Sequence, residues 1–405
     1  MATENLIPQI RFPEFSGNWK PKLLGKIAKF SKGKGISKAD IKEDGEIECI
    51  RYGELYTEYS ETISEVKSRT DVDPNELVFS EANDVIIPSS GETQIDIATA
   101  SCVLRDGIAL GGDLNIIKSD VDGVFLSYYL NYRKKNAIAQ LAQGISVVHL
   151  YSSQLKNLTL ILPKPNEQTK IANFIAKIDT QIQLLEKEKA LLEKYKKAIS
   201  KKIFNQEIRF KDDNGNDFPD WEEKSIDEIA TLHRGSSLSK SDLDKNGINY
   251  CVHYGELFTK YNEVIFEVVS KTNIENGILS KIGDILMPSS DVTPEGLAKA
   301  SAIIIDNVTL GGDINIIRPI NVNSIFLSYV LNSNKKSIMK IVSGTTVKHI
   351  YNKDLKTLVF SYPVTKEQEK IGLFLLEIDR VINNKLSEIG IIKQFKKSLL
   401  QKMFV

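Results

Sequence analysis

Two stretches of the chain carry a hydrophobic pattern longer than any other. From about 167 to 204, Ile171, Ile178, Leu185, Leu192 and Ile199 recur at heptad spacing, with Ile175, Ile182, Lys189, Lys196 and Ile203 four residues after each. From about 367 to 404 the corresponding lines are Ile371, Ile378, Lys385, Ile392, Leu399 and Leu375, Ile382, Ile389, Lys396, Met403. Residues four apart share a helix face, so each stretch predicts one long amphipathic helix, roughly 55–60 Å at 1.5 Å per residue. That length suits a spacer. Five heptads in each stretch favour an antiparallel coiled-coil pair. The pattern also permits each helix to pack on its own domain.

Elsewhere the period shortens. Apolar runs bounded by Gly, Pro, Asn and Asp predict strands at Asp84–Pro88, Ala109–Lys118, Asp284–Pro288 and Thr309–Arg318. Helical stretches, Val124–Arg133 and Ile325–Asn332, interrupt them. Pro163-Lys164-Pro165 and Pro363 mark breaks before the long helices. Compact α+β domains are therefore expected at 20–163 and 222–363, with spacer helices at 164–206 and 364–405.

The whole pattern occurs twice, offset by about 200 residues. Ile86-Ile87-Pro88-Ser89-Ser90 returns as Leu286-Met287-Pro288-Ser289-Ser290, and Leu110-Gly111-Gly112-Asp113-Leu114-Asn115-Ile116-Ile117 as Leu310-Gly311-Gly312-Asp313-Ile314-Asn315-Ile316-Ile317. His149-Leu150-Tyr151 returns as His349-Ile350-Tyr351, and Tyr195-Lys196-Lys197 as Phe395-Lys396-Lys397. So long a repeat is a domain with its connector rather than a solenoid unit. The linker 207–221, ending in Trp221, matches the N-terminal segment 1–19, ending in Trp19. The order is therefore cyclic: segment, domain, helix, twice over. The expected architecture is α+β, with two pseudo-two-fold-related α/β domains separated by two long antiparallel helices. Such pairing brings the C-terminus near the N-terminus. Two similar working surfaces imply a target in two parts.

Composition narrows the chemistry. With 405 residues, 41% hydrophobic and 26% charged, the chain reads as an ordinary soluble protein. There is no apolar run of membrane-spanning length and no signal peptide after Met1, so a cytoplasmic location without a membrane partner is expected. Three distant cysteines make neither a disulfide framework nor a zinc site; Cys49 and Cys251, equivalent in the repeats, are expected in cores. Lys and Arg total 53 and Asp and Glu 53, so any basic surface must be local.

Enzyme signatures are absent. There is no phosphate-binding Gly-rich loop, no H-E-x-x-H, and no Asn-Pro-Pro or Asp-Pro-Pro of the amino-methyltransferase kind. Asp220, Glu222 and Lys224 are too crowded to array ligands round a metal. Gly111-Gly112-Asp113 and its twin read as tight turns. No histidine pairs with a carboxylate at metal spacing. Neither a metal nor a cofactor of its own is expected.

Polar residues cluster at paired places. Were the two-part target a nucleic acid, its phosphates would take Lys, Arg, hydroxyls and backbone amides, and its base edges forked or short polar side chains. The first place holds Lys32 and Lys34, with Arg234, Ser236 and Ser237. The second holds Ser89, Ser90, Thr93 and Gln94, with Ser289, Ser290 and Thr293. The third holds Ser146 and His149, with Thr345, Thr346, Lys348 and His349. Arg51-Tyr52 and His253-Tyr254 form a fourth. Each place also admits a structural role, since Ser-Ser after a strand is often a turn and His149 and His349 could be buried. The run Lys194, Lys196, Lys197, Lys201, Lys202 reads as a solvated or partner-facing helix surface.

Taken together, the chain resembles the specificity subunit of type I restriction–modification systems. The resemblance rests on the duplicated domain–helix plan, the opening Arg11-Phe12-Pro13-Glu14-Phe15…Trp19, the Glu167-Gln168…Ile171 and Glu367-Gln368…Ile371 helix starts, and the Pro-Ser-Ser loops. It implies a non-catalytic subunit whose two target recognition domains each read half of a bipartite double-stranded DNA sequence. It implies that the helices space the domains and dock two methyltransferase subunits, with two motor–nuclease subunits completing the restriction enzyme. S-adenosylmethionine, ATP and magnesium would then belong to those partners. Two other readings remain: the recognition subunit of a related two-site system, and a coiled-coil scaffold for two copies of a protein ligand.

Overall fold

In the computed structural model, residues 6–144, 147–236 and 238–405 are described. The fold is α+β, with two α/β domains and two long helices, Pro165–Phe204 and Thr365–Met403. It divides into two compact units, Met1–Leu185 with Glu388–Val405, and Glu186–Ser387. Each unit thus holds one domain, the first part of the helix that follows it, and the last part of the other helix.

In the first unit a five-stranded sheet runs in the spatial order Ala28–Lys32, Leu114–Ser119, Asp84–Pro88, Ser101–Val103, Thr62–Ile63. All neighbours are antiparallel except the last pair. The central strand is buried on both faces, which is why its sequence is a continuous apolar run. Successive side chains leave opposite faces. Val85 and Ile87 therefore join Phe125, Leu126 and Tyr129 in one core, while Ile86 joins Ile50, Leu55 and Ile116 in another.

The second unit repeats this with Ala230–Arg234, Ile314–Pro319, Asp284–Pro288, Ser301–Ile303 and Val264–Ile265. Ile285 and Met287 face Phe326 and Leu327; Leu286 faces Val252 and Leu257. Helices Gly123–Tyr129 and Ser324–Ser333 start where Asp122 and Asn323 accept the amides of Phe125 and Phe326, at 3.0 and 2.9 Å.

The strands expected at Ala109–Lys118 and Thr309–Arg318 are each broken. Ala109–Leu110 and Thr309–Leu310 pair in separate small sheets. The Gly-Gly-Asp turn intervenes, closed by the amide of Leu114 on the Gly111 carbonyl and of Ile314 on that of Gly311, both at 3.2 Å. Hydrophobicity ran through a change of direction that only the glycines betrayed.

The helix seam also needs correcting. Ile171, Ile175, Ile178 and Ile182 are buried in the first domain's main core, and the same core takes Ile392, Leu399, Leu400 and Met403 from the second helix and Phe404 just beyond it. In the second unit, Ile371, Leu375 and Ile378 pack on the domain together with Ile199, Ile203 and Phe204 of the first helix. Leu185, Ile382 and Ile389 are buried, while Leu192 is half-buried. Each apolar line is therefore shared between a domain and the other helix, rather than being a coiled-coil seam alone. The second unit shows the two helix segments antiparallel, with Glu188 against Lys385 at 3.0 Å and Lys196 against Asp379 at 2.7 Å.

Lys196 is not the solvated residue expected. Its ammonium lies 2.8 Å from Glu263 and above the Tyr329 ring, and Tyr329 Oη donates to Asp379 at 2.5 Å. Burial alone would lower the Lys196 pKa, but the two carboxylates outweigh it and hold it above the usual lysine value. The first unit builds the same cluster. Lys396 sits 2.6 Å from Asp179 and 3.5 Å from Glu61, over Tyr128, whose hydroxyl donates to Asp179.

The short segments before each domain are tied to the helix starts. Arg11 makes a two-pronged pair with Glu167, both contacts 2.7 Å, and Trp19 Nε1 donates to the same carboxylate at 3.2 Å. Arg209 and Trp221 hold Glu367 in the same way, at 2.7 and 3.3 Å. Gln168 and Gln368 accept the amides of Asp122 and Asn323 and donate to the carbonyls of Pro163 and Pro363. The segment before the first domain and the end of the second long helix meet at this joint. The amide of Ile10 donates to the Lys402 carbonyl at 3.1 Å, as that of Ile208 does to Lys202 within the continuous chain at 3.3 Å.

Removing one member of a buried ion pair leaves the other uncompensated. Glu367→Ala should lower the unfolding free energy of the second unit by about 3 kcal/mol, read by urea denaturation with tryptophan fluorescence. Glu222→Ala, which breaks an exposed pair with Lys224, should cost under about 1 kcal/mol. Equal effects would mean that the Glu367 cluster contributes no more than a surface pair.

Candidate nucleic-acid interface

In each domain the second and third candidate places converge. Ser90–Gly91 pairs with Val148–His149, setting Ser90 opposite His149; Ser290–Asp291 pairs with Lys348–His349 in the same register. The Ser89 carbonyl accepts the amide of Leu150 at 3.0 Å, and Asn115 Nδ2 donates to the Leu150 carbonyl at 2.9 Å. Ser289, Ile350 and Asn315 repeat both bonds, at 3.1 and 2.9 Å. The glycines that begin these loops are required. Gly144 and Gly344 have φ of +132° and +100°, and a Cβ there would lie about 2 Å from the Val147 or Val347 carbonyl oxygen.

The first place joins them through the sheet. Lys32 lies opposite Asn115 in register and Arg234 opposite Asn315. In the second domain Arg234, Ser289, Asn315, His349, Tyr351 and Asn352 line one cleft of about 160 Å³. Arg234 is fixed at its rim by the Gly312 carbonyl at 2.9 Å and Asp313 at 3.3 Å. His349 stacks on Tyr351 with ring centres 6.0 Å apart, and His149 on Tyr151 at 6.3 Å.

Several candidates hold local structural positions. Thr93 and Thr293 cap the short helices Gln94–Ile97 and Pro294–Leu297 through the amides of Asp96 and Gly296. Ser90 donates to Asp113 at 2.9 Å, and Ser236 accepts the amide of Ile278. Arg51 pairs with Glu54 at 3.2 Å, and Tyr52 packs on the smaller core. His253 accepts the Gly255 amide and neighbours Tyr254, and burial lowers its pKa below the usual histidine value. The fourth place is thus engaged within its own turn. Lys32, Lys34, Gln94, His149, Thr345 and Thr346 are exposed, Ser290 is half-buried, and half-buried Lys348 donates to the Gly344 carbonyl at 2.8 Å. Ser146 and Ser237 lie outside the described residues.

Sequence reasoning did not single out Asn115, Asn315, Tyr151, Tyr351 or Asn352. The signal for most of them was present: the asparagines and tyrosines sit inside the repeated Leu-Gly-Gly-Asp-x-Asn and His-x-Tyr motifs. It also passed over Lys20, Lys22, Lys26 and Lys29, which line a groove of about 980 Å³ in the first unit. Of their counterparts Glu222, Lys224, Glu228 and Thr231, only Lys224 keeps the positive charge.

Cys49, Cys102 and Cys251 are fully buried, and burial pushes their thiols up to about 11, about 12 and about 11. Among the described residues, no group of three or more His, Cys, Asp or Glu is placed to hold a metal ion. Nor, among them, is any helix long and apolar enough to cross a membrane.

A duplicated α/β domain with polar loops gathered at one sheet end, tied to a long helix, presents two matching polar surfaces. The profile of the type I restriction modification DNA specificity domain matches residues 16–194 and again 219–394, and the chain belongs to that family. It is similar to the type I restriction enzyme MjaVIII specificity subunit of Methanocaldococcus jannaschii, 24% identical over 96% of this chain and 92% of that one. The putative MjaX specificity subunit of the same organism is 25% identical over 70% of this chain and 67% of its own length. Among solved structures, the type I S subunit from M. genitalium superposes with a TM-score of 0.67 at 17% identity, covering 98% of this chain and 99% of that chain. A chain from a type I system solved for its complex assembly and conformational transition gives 0.52 at 16% identity, over 95% and 97%.

Asn315 anchors the segment that carries His349 and Tyr351. Asn315→Ala should cost about 1–3 kcal/mol, because it strands the buried Ile350 carbonyl, and should speed amide exchange over residues 348–351. Unchanged exchange there would show that strand pairing alone holds the segment.

Proposed function

We propose that this chain is the sequence-reading subunit of a type I restriction–modification enzyme, with each domain reading one part of a bipartite double-stranded DNA target. One observation carries the reading. The same set of cation, hydroxyls, imidazole and tyrosine recurs at the same end of the sheet in both domains. These cations, hydroxyls and imidazoles suit phosphates and base edges. Base contacts fall to exposed residues where the domains differ, among them Gln94, Thr345 and Thr346.

The long helices serve as spacers and as the docking surface for two methyltransferase subunits. They leave Leu184, Leu191 and Tyr195 exposed on the first helix and Leu386, Ile391 and Phe395 on the second. Apolar side chains at this density on helices suit burial by a partner. Two motor–nuclease subunits would complete the restriction enzyme. S-adenosylmethionine, ATP and magnesium are bound by those partners and not by this chain.

Exchanging residues 20–163 for the equivalent of another specificity subunit should change one part of the methylated sequence and leave the other intact. Methylome sequencing of cells expressing the hybrid with its methyltransferase reads this directly. Simultaneous change of both parts would refute independent reading by the two domains.

A further inference from the structure

We infer that the cleft beside Ser289 seats a phosphate of the DNA backbone, and that the equivalent set beside Ser89 does the same in the first domain. This rests on the DNA-reading function proposed above and assigns one of its contacts a chemistry. Ser289 is 4% exposed, lines the cleft, and its hydroxyl has no hydrogen-bond partner within the protein. Ser89 is likewise 4% exposed and unpartnered. A buried hydroxyl is costly unless something bonds it, and the same unpartnered hydroxyl recurs in both copies. At the rim stands a cation on the same strand position, Arg234 or Lys32. His349 and Tyr351 form a stacked wall, matched by His149 and Tyr151.

Three other polar side chains bear on the site: Asn315 lines it with its Nδ2 on the Ile350 carbonyl, Asn352 also lines it, and Asp313 stands beside Arg234. Asp313 shares the rim and takes one prong of Arg234, which leaves the guanidinium held in place with more than half of its side-chain surface exposed. Asn352 Nδ2 is occupied by the His233 carbonyl, and its Oδ1 is unpartnered, an acceptor suited to a water carried in with the phosphate.

Phosphate rather than a base follows from what the two domains keep and what they change. The cation is Lys in one and Arg in the other. A phosphate accepts either, Lys as a point charge and Arg as a fork. The hydroxyl, imidazole and tyrosine are kept. Beside them, Glu92, Gln94 and Ile95 become Val292, Pro294 and Glu295, and Val148 becomes Lys348. A contact blind to sequence should persist between domains, and contacts that read sequence should vary.

The test uses the full chain with its methyltransferase, binding target and non-target duplexes over a salt series. Arg234→Ala should make the slope of log affinity against log salt shallower by about 0.9 on both duplexes, with the methylated sequence unchanged. Arg234→Lys should restore the slope. A scan with single neutral methylphosphonate linkages should find a position that weakens the wild type but not Arg234→Ala. An unchanged slope in an Arg234→Ala protein that still assembles with the methyltransferase would overturn the assignment, as would a change in the sequence methylated. A wild-type complex with no preference between the duplexes would overturn the DNA-reading function itself.

Discussion

A buried carboxylate cannot stand alone in a protein interior, and Glu167 and Glu367 impose that condition on this chain twice. They are 1% and 0% exposed. Their charge is held by an arginine and an indole from a segment about 150 residues away in sequence. Because each carboxylate opens a long helix, satisfying it draws three things to one point: the segment before the domain, the end of the domain, and the helix start. The neighbouring glutamines complete the junction by bonding the amide before the inner helix and the carbonyl of the preceding proline. The joint also fixes how the chain closes. In one unit the helix end runs on into the segment; in the other, the C-terminal residues occupy that place and bond Ile10 across the termini.

From this joint the helices derive a double allegiance. Each begins on the domain it follows and ends in the core of the other unit, where Phe204 meets Phe326 and Phe404 meets Phe125. Along the way, the Lys196–Asp379–Tyr329 and Lys396–Asp179–Tyr128 clusters add a polar step that is satisfied in one alignment. Such clusters seldom add net stability over apolar packing, but a misregistered helix would leave the charges unpaired. In the proposed function this matters, because a recognition subunit with two reading heads needs fixed helices between them.

Much of the fold was legible because duplication acts as an internal control: a pattern seen twice is not chance. The strand Asp84–Pro88 and its twin appear in the structure with the expected bounds, since a strand buried on both faces leaves an unbroken apolar run. The long helices were equally plain. What packs against their apolar faces was not, since periodicity shows a face and not its partner. The Gly-Gly-Asp segment read as a turn from its own residues, yet its apolar flanks, buried on both sides, still suggested one continuous strand. At the candidate site the Pro-Ser-Ser and His-x-Tyr segments could be named from the sequence. Their convergence on one cleft depends on strand register and on the Asn115 and Asn315 side chains, which no local pattern encodes. Thr93 and Thr293 carry a related ambiguity: a threonine that caps a helix and one that meets a ligand look alike in sequence.

The cyclic joint is most directly tested by moving the chain ends. Val405 would be linked to Leu6 by a short flexible peptide, and the chain opened at Gln206, between the first long helix and its following segment. If the joint at Ile10 and Lys402 is equivalent to that at Ile208 and Lys202, the permuted chain should fold, assemble with its methyltransferase and direct methylation to the same sequence as the original. A permuted chain that does not fold, or that directs methylation elsewhere, would contradict it.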